Sequence, residues 1–198
     1  LDCAANMCQI LWIMQSVSAS QVEFLLSLLS TWVAYPPFPT SWFSLNMFLM
    51  SSVTHVMGLM TSMTPQEMNV FLSLLLRFRA LPLLDLSCYA SSKRESVLAN
   101  YGDLRVLLGN IWSDSYAALD KQVKQELLED NDSHLIKYIF LLLLRTGEKD
   151  WAMRTYFVLL DDEYRFTGGL KGTESQTMDA FSAISNEPNA AKFQEDFF

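Results

Sequence analysis

The chain has 198 residues, 51% of them apolar, and a formal net charge of −8. That length suits one domain or a domain with an appendage. The acidic balance, with no large basic patch, excludes nucleic acid, whose phosphates would need several cations to neutralise them. Cys3, Cys8 and Cys88 form neither a disulfide framework nor a metal pattern.

The charges are unevenly placed. All 14 Lys and Arg lie at or after Arg77, and residues 1–76 carry only Asp2, Glu23 and Glu67. From Phe24 to Gln66 there is no Asp, Glu, Lys or Arg at all. Charged side chains normally cover the outside of a soluble domain, so the two halves are expected to face different solvents. The chain opens at Leu1 without the basic region of a secretory signal, which suggests a product cut from a longer chain.

The first apolar segment, Ala4 to Ser18, is interrupted by Gln9, Gln15 and Ser16. The second opens on the capping box Ser20-Gln21-Val22-Glu23 and stops at Pro36-Pro37, where a helix cannot continue. The third runs from Thr40 or Ser41 to Met60 and meets the roughly 20 apolar residues that a bilayer core demands. The fourth opens with Thr64-Pro65-Gln66-Glu67 and runs to Pro82. Trp32, Tyr35 and Trp42 suit a membrane interface, and Arg77 and Arg79 would snorkel from a helix lying along the surface. Residues 1–86 are therefore expected to be a membrane-embedded helical region with two or three helices in the bilayer. The positive-inside rule then puts the basic C-terminal part in the cytosol. The alternative is a buried helical hairpin within a soluble protein.

From Ser87 the pattern becomes that of a small, mainly α-helical domain, expected over residues 87–187. Ser92-Lys93-Arg94-Glu95 is a capping-box pattern, and the helical spacing breaks near Gly102. Ser115 to Glu129 is amphipathic, with Ala118, Val123 and Leu127 near one side. Ser133 to Arg145 is strongly apolar but too short to span, and is read as the central buried helix. Lys149 to Tyr164 follows, and its "RTYFVLL" is open to a short strand. After the glycine-rich turn "RFTGGLKG", Thr173-Glu174-Ser175-Gln176 is a further capping-box pattern, and residues 188–198 read as a flexible tail. The fold class expected is all-α: transmembrane or interfacial helices, then the small helical domain.

Candidate chemistry is sparse. His134 beside Asp132 and Ser133 could suggest a nucleophilic site, but a capped helix start explains the same residues. His55 sits in apolar surroundings, where an ionisable group in a membrane is a functional candidate. "GGLKGTES" resembles a phosphate loop loosely but lacks the Gly-Lys-Ser/Thr ending. The clusters "LEDND" and "LLDDEY" lack calcium-loop spacing and read as solvated helix ends. No catalytic residue, metal site, cofactor or small-molecule substrate is expected from this pattern.

One stretch carries a resemblance. Leu144-Arg145, then Tyr164-Arg165-Phe166-Thr167-Gly168, then Ala180, Ala183 and Asn186-Glu187 follow in order within Leu144 to Glu187. That stretch resembles the C-terminal domain of the fourth nonstructural protein of coronaviruses and their nidovirus relatives, and the order of hydrophobic segments before a small domain is similar too. Phe193-Gln194 resembles a main-protease cleavage site. The resemblance implies a non-enzymatic membrane protein from a viral polyprotein, seated in host endoplasmic-reticulum-derived membrane with its C-terminal domain cytosolic. It would help build replication compartments through contacts with other viral membrane nonstructural proteins or with itself. Tyr164, Arg165, Phe166 and Gly168 are then the interaction or turn candidates. The rival readings are a helical scaffold of unrelated origin and a membrane hydrolase.

Overall fold

The computed structural model describes residues 24, 26–31, 42–60, 63–129, 135–146 and 148–184, without the side chains of 144–146 and 183–184. The first predicted segment, the Ser20–Glu23 capping box, Trp32, Tyr35, the proline turn, Asp132, Ser133, His134, Gln194 and the tail lie outside these residues. All regular structure among the described residues is helical, including "RTYFVLL", so the all-α expectation holds. No helix among them is long and apolar enough to cross a membrane. The chain parts into two compact units at Ser115 and Tyr116.

In the first unit, residues 26–31 are helical and bury Leu26 and Leu29. Helix α1, Phe43–Gly58, has 16 residues and is about 24 Å long, short of the roughly 30 Å of a bilayer core. The expected span is thus shorter than the sequence pattern implied, and half of it faces protein. Met47, Leu49, Met50, Val53, Val56 and Met57 are buried, while Ser44, Leu45, His55 and Gly58 point outward. Buried Thr54 returns its hydroxyl to the Met50 carbonyl at 2.8 Å, which removes the penalty of an unpaired polar group.

Helix α2, Pro65–Arg79, starts as its sequence predicts. The Thr64 hydroxyl accepts the Glu67 N–H at 3.3 Å, and the Glu67 carboxylate accepts the Thr64 N–H at 2.8 Å. The Thr64 N–H and the Thr64 hydroxyl, which also donates to the carboxylate at 2.8 Å, hold the Glu67 carboxyl below its ordinary pKa. Phe71, Leu72, Leu74, Leu75, Leu76 and Phe78 are all buried. Arg79 was expected to reach an interface; here it is buried and donates to the Arg105 carbonyl. Arg77 is half-buried and Trp42 half-exposed.

Two 3-10 turns, Pro82–Leu84 and Leu86–Cys88, lead out of α2. Between them Asp85 accepts the Ser87 N–H at 3.0 Å and hydroxyl at 2.6 Å, and lies 3.5 Å from Arg105. Burial pushes the Asp85 carboxyl up, but the Ser87 hydrogen bonds and the Arg105 charge outweigh it and hold the carboxyl below its usual value. Helix α3, Ser91–Tyr101, does not use the expected Ser92–Glu95 box. It begins two residues earlier than that box requires, with the Ala90 carbonyl accepting the Arg94 N–H at 2.9 Å, so Ser92 is already inside the first turn. Gly102, at φ 71°, ends α3, and the Asp103 carboxylate accepts the Arg105 and Val106 amides at 3.0 and 3.2 Å to open α4, Leu104–Ala117.

The single helix expected over Ser115–Glu129 is divided. Its first residues finish α4, and the Asp120 carboxylate accepts the Val123 N–H at 2.9 Å to start α5, Lys121–Glu129. An aspartate able to cap splits a pattern that periodicity alone joins.

In the second unit α6, Leu135–Thr146, is the central helix. It buries Leu135, Ile136, Ile139, Phe140, Leu142 and Leu143. The Phe140 ring lies 5.3 Å from Tyr156 of α7, Lys149–Thr167, and 5.1 Å from Phe181 of α8, Lys171–Ile184. These aromatic contacts add to the area each ring hides from water.

Thr64→Ala should cost about 1 kcal/mol, read from the urea midpoint. The lowered carboxyls of Glu67 and Asp85 contribute stability above their unfolded pKa values and lose it as pH falls through the lowered folded values. Carboxyl NMR titration should therefore show both midpoints below those of the urea-unfolded chain.

Candidate functional site

Four of the residues singled out by sequence, Tyr164, Arg165, Phe166 and Gly168, lie at the end of α7, and this helix has two distinct faces. Ala152, Thr155, Leu159 and Glu163, at spacings that keep one side of a helix, are buried. Arg154, Phe157, Val158, Asp161, Tyr164 and Arg165 form the opposite, exposed side. There Phe157 is 57% and Tyr164 62% exposed, and Arg165 pairs with Asp161 at 2.8 Å. Phe166 is half-buried, with the Lys121 ammonium 5.4 Å from its ring centroid. Gly168 is the left-handed cap of α7, its N–H donating to the Tyr164 carbonyl at 2.9 Å. Tyr164, Arg165 and Phe166 are thus the final helical turn, and Gly168 is the point where the chain reverses toward α8.

The reversal is held by a residue that sequence reading passed over. Glu163 is only 2% exposed, and its two carboxylate oxygens accept the Gly172 and Thr173 amides at 2.7 and 2.8 Å. A carboxylate carried by α7 therefore caps the positive end of α8. The expected Thr173–Gln176 box does not form, because α8 already begins at Lys171 and the Leu170 carbonyl accepts the Glu174 N–H at 2.8 Å. Gln176 instead donates to the Leu128 carbonyl at 3.2 Å, tying α8 to the end of α5. The glycine at 172 is dictated by the same approach: a Cβ there would lie 2.5 Å from the Leu128 carbonyl oxygen.

Around this junction a cleft of about 520 Å³ is lined by Glu129, Glu163, Thr167, Lys171, Ser175 and the glycines between them. It contains the loosely phosphate-loop-like stretch, but the Glu163 carboxylate occupies the amides that a phosphate would use and repels an anion there. The "LLDDEY" cluster is likewise more than a solvated helix end. Asp161 is exposed, Asp162 pairs with Lys124 at 3.3 Å, and Glu163 is the buried cap. Burial and the neighbouring Asp162 carboxylate push the Tyr116 phenol far above its usual pKa.

The signal for Glu163 was present in the sequence as its place on the Ala152–Thr155–Leu159 stripe, at a position where an unpaired carboxylate could not be tolerated. The other candidates do not converge on this junction. His55 is exposed on α1, and Trp42, Arg77 and Arg79 belong to the first unit. Among the described residues no three His, Cys, Asp or Glu side chains come together as a metal site. No protein-family model, curated protein or solved structure matches this chain.

Gly172→Ala should destabilise the fold by about 1–3 kcal/mol through overpacking. Gly169→Ala, with nothing within 4 Å of the new Cβ, should stay within about 0.5 kcal/mol. Glu163→Gln, which leaves one α8 amide facing an amide nitrogen, should cost about 2 kcal/mol. Urea unfolding of the three variants checks the ordering.

Proposed function

We propose that this chain acts by association: its first unit sits against a membrane surface, and its second presents a protein-contact face. The observation that carries the reading is the outer side of α7. Phe157, Val158 and Tyr164 stand exposed in a row between Arg154 and Arg165. Aromatic residues and arginine at helical spacing are the composition of an interaction surface, and apolar rings left in water gain from being covered.

The membrane part of the reading is supported by the charge-free run from Phe24 to Gln66 and by outward apolar side chains in the first unit, with Trp42 at 50% and Val70 at 44% exposure. In the described helices this contact is interfacial, with such side chains dipping into the headgroup layer. The resemblance of residues 144–187 supplies the setting we propose: host endoplasmic-reticulum-derived membrane, other viral membrane nonstructural proteins or a second copy as partners, and a role in building replication compartments.

The full chain should float with liposomes of mixed phospholipid and should self-associate in sedimentation velocity. Replacing Phe157 and Tyr164 together by Ser should weaken self-association about tenfold or more and leave helical circular dichroism unchanged, because both side chains are exposed. Equal sedimentation of wild type and variant would remove the α7 face as a self-contact. A chain left at the bottom of the gradient would remove the membrane contact.

A further inference from the structure

The start of α3 meets the first turn of α1 through a cation lying over two rings. Phe43, the first residue of α1, and Tyr89, just after the second 3-10 turn, stand edge to face with centroids 5.2 Å apart and planes at 76°. The Lys93 ammonium lies 3.5 Å from the Phe43 centroid and 4.4 Å from that of Tyr89. Each ring presents its negative π-face to the same point, so one cation is attracted to both.

One wall of this corner is anchored by a hydrogen bond, and the occupant sits on a flexible stem. The Tyr89 hydroxyl donates to the Leu83 carbonyl at 2.7 Å, which sets that ring's angle, and half-buried Phe43 is the first residue of α1. Lys93 is exposed, sits on a long flexible stem, and belongs to a helix whose one buried residue is Val97. A primary ammonium is strongly hydrated and loses little by returning to water. A quaternary ammonium cannot donate hydrogen bonds to water, so the same two faces suit it better.

We propose that the Phe43–Tyr89 corner is a binding site for a trimethylammonium group of the choline type, with Lys93 as its tethered competitor. Tethering gives Lys93 a high local concentration at the corner, so the wild-type chain binds weakly and removing the lysine amine raises affinity. The site stands whether or not α7 is a contact face. Soluble phosphocholine and the headgroup of phosphatidylcholine carry the same recognised group.

The test uses the full chain with tetramethylammonium and with phosphocholine, read by saturation transfer to the ligand methyl protons. Lys93→Gln, at an exposed position, should bind both probes about two- to fivefold tighter than wild type. Phe43→Leu and Tyr89→Leu, each in the Lys93→Gln background, should abolish the gain, whereas Tyr89→Phe, which keeps the ring, should retain most of it. Helical circular dichroism identifies any variant that fails to fold, and Tyr89→Phe against Tyr89→Leu separates the ring from the charge change at Lys93. Flotation with phosphatidylcholine or phosphatidylglycerol vesicles separates the sources. A Lys93→Gln gain confined to phosphatidylcholine assigns the lipid headgroup, and phosphocholine binding without that gain assigns a soluble ligand. No difference between Lys93→Gln and wild type, or a gain that survives the loss of either ring, overturns the site.

Discussion

A helix begins with amide groups that have no partner inside it, and α2, α4, α5 and α8 meet that demand with side chains. Thr64 and Glu67 do it for α2, Asp103 for α4 and Asp120 for α5, each from the residue or turn next door. Glu163 does it for α8 from another helix. The local caps set boundaries. The distant one also sets tertiary structure, because a buried carboxylate must keep both backbone partners or bear the cost of an unpaired charge. The approach of α8 to the end of α5, which only glycine at 172 permits, depends on that pairing.

From this constraint follows the division of labour within α7. Its inner stripe ends in the cap, so the helix cannot rotate about its axis without tearing Glu163 from α8. The outer stripe is therefore held at one orientation, and the exposed Phe157, Val158 and Tyr164 form a fixed surface. A contact surface that is already ordered loses little conformational entropy on binding. That physical economy makes the outer side of α7 the better candidate for association than the cleft, where Glu163 is already engaged.

Legibility in the sequence followed the range of the interaction. The α2 start was readable because Thr64, Pro65 and Glu67 are neighbours and the bonds they make are with each other. The central role of α6 was readable because a short helix apolar enough to bury Phe140 and Leu142 has one place to go. Ser92 and Thr173 carried the same capping pattern as Thr64, yet neither caps, because α3 and α8 start earlier on the Ala90 and Leu170 carbonyls. A local pattern states what a residue can do; the competing start one turn away is decided by packing. Glu163 was readable only as a member of a buried stripe, and its partner amides lie nine and ten residues on, across a reversal, where no periodicity reaches.

The same distinction bears on the charge-free first half. Absence of Lys, Arg, Asp and Glu is a statement about the outer surface, and apolar length is a statement about burial. In α1 most of the apolar residues are covered by the unit itself, while Ser44, Leu45 and His55 face outward. In α2 Gln66 and Val70 do so, and Asn69 and Ser73 are half-exposed. The outer sides of these two helices are thus built largely from neutral side chains, interspersed with Leu45 and Val70 and preceded by Trp42. Moving such a surface into a headgroup layer avoids the desolvation of ions, the largest penalty that an ordinary protein surface meets there. Helices whose apolar sides are already covered and whose outer sides are largely neutral are suited to lie on a bilayer, because no backbone group needs new partners when the apolar rings dip in.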